Sequence, residues 1–96
     1  MTGTPIRLIL VDDHAAFRQP LAFMLEREPD FTVIAQANSL AEARQLPDEI
    51  RSLVDVAIVD LQLPDGDGTD IIREMRASNS PGQALVLTAD TAKLHH

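Results

Sequence analysis

Three carboxylates and a hydroxyl stand where short apolar runs stop. Asp12 and Asp13 follow Ile6-Arg7-Leu8-Ile9-Leu10-Val11, Asp60 ends Asp55-Val56-Ala57-Ile58-Val59, and Thr88 follows Ala84-Leu85-Val86-Leu87. An aspartate ahead of a helix ordinarily caps its first amides, and a lone threonine at a strand end says little. Their joint placement says more. Where such runs are parallel strands of one open sheet, their C-terminal ends share an edge, and that edge is where α/β sheets bind ligands. Carboxylates gathered there repel one another unless a cation lies between them. A hard divalent ion such as Mg²⁺ meets that need, because it takes oxygen ligands and keeps several waters.

The elements that must position these groups follow from apolar spacing. Ile6–Val11 is short, branched and nearly continuous, as a strand buried on both faces would be. In the next segment, 15–28, Phe17, Leu21, Met24 and Leu25 make a helical stripe that Glu28 ends. Pro20 interrupts that segment, removing one backbone donor, and a bend is expected there. Phe31–Ala37 reads as a second strand, with Phe31, Val33 and Ala35 on one face. Ser39-Leu40-Ala41-Glu42 has the form of a capping box, so a helix should start at about Leu40. Pro47 either breaks that helix or opens a second turn through Leu53. Asp55–Asp60 is the third strand, Leu61–Gly68 a loop, Thr69–Ala77 a helix, Ser78–Gly82 a second loop and Ala84–Leu87 the fourth strand. The β-α-β-α-β-α-β order calls for an α/β fold: a doubly wound, mostly parallel sheet with helices on both faces.

Composition narrows the function. The chain has 96 residues, enough for one domain, with 45% apolar and 24% charged residues. Eight basic against 15 acidic residues leave a net charge of −7, which does not suit a surface that grips a phosphate backbone or anionic lipid. The absence of cysteine excludes disulfides, thiolate metal sites and a cysteine nucleophile. No apolar run approaches the ~20 residues of a membrane span, and Met1–Pro5 lacks the basic start of a signal peptide. A soluble, cytoplasmic protein is expected.

From Ile6 to Thr88 the chain resembles the receiver domain of bacterial two-component response regulators. Leu10-Val11-Asp12-Asp13-His14 resembles the family's acidic-pair strand end. Val59-Asp60-Leu61-Gln62-Leu63-Pro64-Asp65-Gly66-Asp67-Gly68 resembles its phosphoacceptor strand, with proline four residues after the key aspartate. Leu85-Val86-Leu87-Thr88-Ala89 resembles its hydroxyl-bearing strand. Asp12-Asp13-His14 together with Leu25–Phe31 leans toward the NarL/FixJ (LuxR-type) subfamily, whose members carry a C-terminal helix-turn-helix DNA-binding domain.

The resemblance implies a flavodoxin-like sheet of order 2-1-3-4. It makes Asp60 the phosphoacceptor, attacking the phosphohistidine of a sensor histidine kinase. It gives Mg²⁺ the ligands Asp12, Asp13, Asp60 and the backbone carbonyl of Gln62, with Thr88 contacting the phosphoryl group and relaying its arrival. The Gln62 side chain would hinder or help the water that hydrolyses the product. His14 could approach the phosphoryl site, but a solvent-exposed place at the helix start is expected. Such a domain helps catalyse its own phosphorylation but is not an ordinary enzyme, and DNA binding belongs to an output domain outside this chain.

The family also has a fifth strand with a phosphoryl-pairing lysine. Lys93 follows Thr88 too soon to cross over and return on a parallel strand, so the match reads as a partial receiver over 5–92 that lacks the fifth strand. Residues 93–96 read as native helix or the start of a purification tag. An unpaired fourth strand invites pairing with a second copy, so a homodimer is expected. A receiver without its fifth strand could instead serve as a docking module that holds no phosphate. Asp65-Gly66-Asp67-Gly68-Thr69 also spells the D-x-D-G-T signature of haloacid-dehalogenase-type phosphatases, but there an apolar strand runs straight into the first aspartate. Here Gln62-Leu63-Pro64 intervenes.

Overall fold

The computed structural model describes residues 4–77 in full, with the backbone of Ser78 and of 85–89. The strands are β1 (Ile6–Val11), β2 (Phe31–Ala37), β3 (Val56–Asp60) and β6 (Leu85–Ala89), separated by helices α1 (Ala15–Glu26), α2 (Leu40–Arg44), α3 (Asp48–Arg51) and α4 (Gly68–Ser78). Two short strands, β4 (Gln62–Leu63) and β5 (Gly66–Asp67), stand between β3 and α4. The main sheet has the order β2-β1-β3-β6 and all its pairs are parallel. This is the expected α/β arrangement, with β6 as the fourth long strand.

Period-2 alternation splits the sheet between two layers. Ile9 and Val11 of β1 with Ala57 and Val59 of β3 pack into one core with Leu40 of α2 and Ile71 and Met75 of α4. The alternate residues Leu8 and Leu10 are equally buried and belong to the other face, where α1 runs against β1 and β2. That second layer is thinner. Ala22 is the buried residue of α1, while Phe17, Leu21 and Leu25 are half-buried. Met24, expected in the apolar stripe, is instead 63% exposed beside an exposed Phe23, whose ring lies 5.9 Å from the Arg27 guanidinium carbon. Among the described strands β2 pairs with β1 alone, and Phe31–Ala35 is half-buried throughout rather than alternating.

Several local expectations are refined. α1 ends at Glu26 and carries Pro20 in its interior, with Pro20 and Ala16, one turn earlier, both on the exposed side where water can satisfy the freed carbonyl. The Ser39 hydroxyl caps α2 by accepting from the Glu42 N–H at 3.1 Å. The Glu42 carboxylate, however, reaches the N–H of Asn38 at 2.8 Å, one residue before the cap. Pro47 ends the first helix and opens a second, α3. Asp55 lies just before β3, where its carboxylate accepts from the backbone N–H of Arg7 at 2.8 Å and its guanidinium at 3.2 Å. The segment expected as a loop over Leu61–Gly68 contains the antiparallel pair β4–β5. Among the described residues no helix is long and apolar enough to cross a membrane. The tail 93–96 and Ser80–Gly82 lie outside the described residues.

Candidate phosphoryl and cation site

The carboxylates meet because β1 and β3 are parallel neighbours that end at the same level. Asp60 is the last residue of β3, and Asp12 follows β1, its N–H donating to Ala37 of β2 at 3.0 Å. Both are buried, at 2% and 6% exposure, and Asp13 is beside them with its side chain one third exposed. A carboxylate so buried needs donors. The Gln62 N–H, two residues on, gives Asp60 Oδ1 one at 2.9 Å, and the His14 N–H gives Asp12 Oδ1 one at 2.8 Å.

His14 takes the alternative place, beside the site, with its side chain still 36% exposed. As the N-cap of α1, its half-buried ring turns back toward the strand ends. Nδ1 lies 3.0 Å from Asp12 Oδ1, 3.1 Å from Asp13 Oδ1 and 3.6 Å from Asp60 Oδ2. The Asp12 carboxylate bonded to the ring raises the His14 pKa above its usual value; desolvation opposes the shift, and the charges of Asp13, Asp12 and Asp60 add to it. Ligand atoms from Asp12, Asp13, His14 and Asp60 all lie within 4.8 Å of one another.

Sequence reasoning missed three supports of this site. Arg18, one turn after His14 on α1, donates from its guanidinium to the Asp12 carbonyl and to Gln36 Oε1 at 3.1 Å, tying the acidic loop to α1 and β2. The four-residue spacing from His14 was the available signal. Asp65 accepts from the first two amides of α2, Leu40 N–H at 2.8 Å and Ala41 N–H at 2.9 Å, which holds its carboxyl below the usual range. The segment after Asp60 is thus anchored to another helix. Gly68 packs so closely that a Cβ there would lie 2.2 Å from the Asp60 carbonyl oxygen.

The same bonds account for the D-x-D-G-T segment without hydrolase chemistry. Asp65 caps α2, and Asp67 accepts from the N–H and hydroxyl of Thr69, both at 2.9 Å, opening α4. Of the remaining expected site residues, Gln62 begins β4 and touches the site through its backbone N–H. Thr88 is placed by register alone, opposite Val59, with Ala89 opposite Asp60; its side chain lies outside the described residues.

Comparison with known proteins gives the family and the fold. The family model described as "Response regulator receiver domain" matches residues 8–95. The DNA-binding transcriptional activator DevR/DosR of Mycobacterium tuberculosis is 34% identical over 91% of this chain and 39% of its own length. The nitrate/nitrite response regulator protein NarP of Escherichia coli is 30% identical over 94% of this chain and 41% of its own. A protein-glutamate methylesterase/protein-glutamine glutaminase of Rhodopseudomonas palustris is 42% identical over 80% of this chain but 21% of its own. The chain therefore spans between about one fifth and two fifths of the length of these relatives. Among solved structures, a LuxR-family two-component response regulator from Aurantimonas superposes with a TM-score of 0.72 at 32% identity, covering 88% of this chain and 59% of that one. The chain belongs to the response regulator receiver domain family, the signal-accepting module of two-component systems.

Proposed function

We propose that Asp60 is the phosphoacceptor of this receiver domain and takes a phosphoryl group from the phosphohistidine of a sensor histidine kinase. The observation that carries this reading is a buried Asp60 carboxylate at a strand end with the carboxylates of Asp12 and Asp13 beside it. Their donor set is one that a hard divalent cation accepts. Asp12, Asp13 and Asp60 would hold Mg²⁺ together with the Gln62 carbonyl, Asp13 more directly. When bound, the ion offsets negative charge on the nucleophile and on the phosphoryl oxygens.

The chain's own residues do the rest. The Gln62 N–H on Oδ1 orients the Asp60 carboxylate, and Oδ2 faces the acidic cluster. A carboxylate oxygen of Asp60 attacks phosphorus, the new O–P bond forming as the N–P bond breaks. The kinase imidazole leaves and is protonated from solvent. Arg18 keeps the acidic loop in place through the Asp12 carbonyl. Thr88, beside β3 in register, contacts the attached group and relays its arrival. The receiver unit spans 5–92 and turns over no substrate in the ordinary sense. The DNA-binding names of relatives support a transcriptional output through a further domain, since a chain of net charge −7 is a poor surface for DNA.

The test is intact mass after incubation with acetyl phosphate and Mg²⁺, run beside Asp60→Asn. One phosphoryl adduct on the parent and none on the folded variant is expected. An adduct on the folded variant overturns the assignment. A folded parent with no adduct overturns it too, and favours a docking scaffold.

A further inference from the structure

We infer that His14 is itself a ligand of the divalent cation at this site, making a mixed nitrogen–oxygen site that selects a transition-metal ion such as Mn²⁺ over Mg²⁺. The inference rests on the cation reading of the acidic cluster given above. Nδ1 of His14 faces oxygens of three different carboxylates, at 3.0, 3.1 and 3.6 Å. Nδ1 is hydrogen-bonded to Asp12 and drawn by the carboxylates of Asp13 and Asp60, and once deprotonated it is a donor on the same centre. Ligand atoms from all four side chains lie within 4.8 Å of one another, close enough for one ion to touch them all. Metal–ligand bonds of about 2.1 Å at right angles put neighbouring donor atoms about 3.0 Å apart, the spacing between Nδ1 and the two nearest oxygens.

The ring is also held where it is. Its residue is the N-cap of α1, its own backbone N–H is bonded to the Asp12 carboxylate, and Arg18 one turn on grips the Asp12 carbonyl. Preorganisation of this kind is what a metal ligand needs. Carboxylates alone suit Mg²⁺, whereas an imidazole donor shifts preference toward first-row transition ions.

Electron spin-echo spectroscopy of bound Mn²⁺ tests the inference, because a coordinated imidazole nitrogen modulates the echo. The chain has three histidines, His14, His95 and His96, so the tail is the one other imidazole source. Nitrogen modulation is expected in the parent and in the His95→Ala/His96→Ala variant, and is lost in His14→Gln. That last substitution should weaken Mn²⁺ binding by about ten-fold or more, and Mg²⁺ binding by less than about three-fold. Mn²⁺ bound without nitrogen modulation removes His14 from the ligand set and leaves the carboxylate site standing. Modulation that vanishes with the tail histidines overturns the inference in the same way, even if His14→Gln fails to fold. No Mn²⁺ or Mg²⁺ binding at all overturns the inference together with the cation reading beneath it.

Discussion

Gly68→Ala is the sharpest probe of how tightly the segment after Asp60 is packed. Gly68 is buried, and its backbone angle is one that any residue adopts, so only space stands against a side chain. A Cβ would lie 2.2 Å from the Asp60 carbonyl oxygen, 2.7 Å from Val59 Cγ1 and 3.0 Å from the Asp60 carbonyl carbon. The first separation falls short of ordinary contact, taken as 3.4 Å, by 1.2 Å, and the obstacle is sheet backbone rather than the end of a flexible side chain. Overpacking costs about 1–3 kcal/mol, and a backbone clash belongs at the upper end. For a domain of this size about 3 kcal/mol lowers Tm by roughly 12–24 °C. That is a large share of the ~5–15 kcal/mol that holds such a domain folded. Relief also has to move the Asp60 carbonyl, so phosphoryl labelling should fall with stability. Thermal and urea unfolding followed by circular dichroism measures the first effect. Without the clash, alanine in place of glycine at a compatible helical position stabilises by about 0.4–1 kcal/mol. The two cases differ in sign, and a Gly68→Ala variant as stable as the parent would refute the packing argument.

Three further outcomes follow from the contacts described. Ile71→Ala empties a fully buried position between α4 and the sheet, and should cost about 2–5 kcal/mol in denaturant unfolding; a loss below about 1 kcal/mol contradicts the placement of the core. Asp65→Ala should speed amide hydrogen exchange at both Leu40 and Ala41, because it removes the acceptor of both N–H groups, and unchanged exchange there rules out the cap. Asp55 is held below the ordinary carboxylate range by the Arg7 backbone N–H and then by its guanidinium. Its stabilisation is therefore present above the unfolded-state pKa and is lost as pH falls through the lower folded value. Stability of the parent should decline more steeply with acid than that of Asp55→Asn, and parallel acid-unfolding curves would count against the pairing.

What the sequence determined by itself was whatever depends on consecutive residues. Branched apolar runs marked the strands, the Ser39–Glu42 spacing marked a helix start, and alternation of the two types required a parallel sheet. Once that sheet exists, aspartates that follow strands one and three must share its C-terminal edge, so the meeting of Asp12, Asp13 and Asp60 was legible without coordinates. The tertiary structure decided what depends on pairs far apart in the chain or on which way a side chain turns. Asp65 serves amides 24 and 25 residues before it. Gly68 is required by a carbonyl eight positions back, across a hairpin that a proline- and glycine-rich stretch did not advertise. His14 had two directions open at the head of α1, and only the carboxylates gathered from two strands gave its ring a reason to turn inward. Met24 has helical spacing with Phe17 and Leu21 but lies outside the narrow strip of α1 that the sheet covers. Local periodicity records which residues are able to be buried, and packing against the rest of the chain decides which of them are.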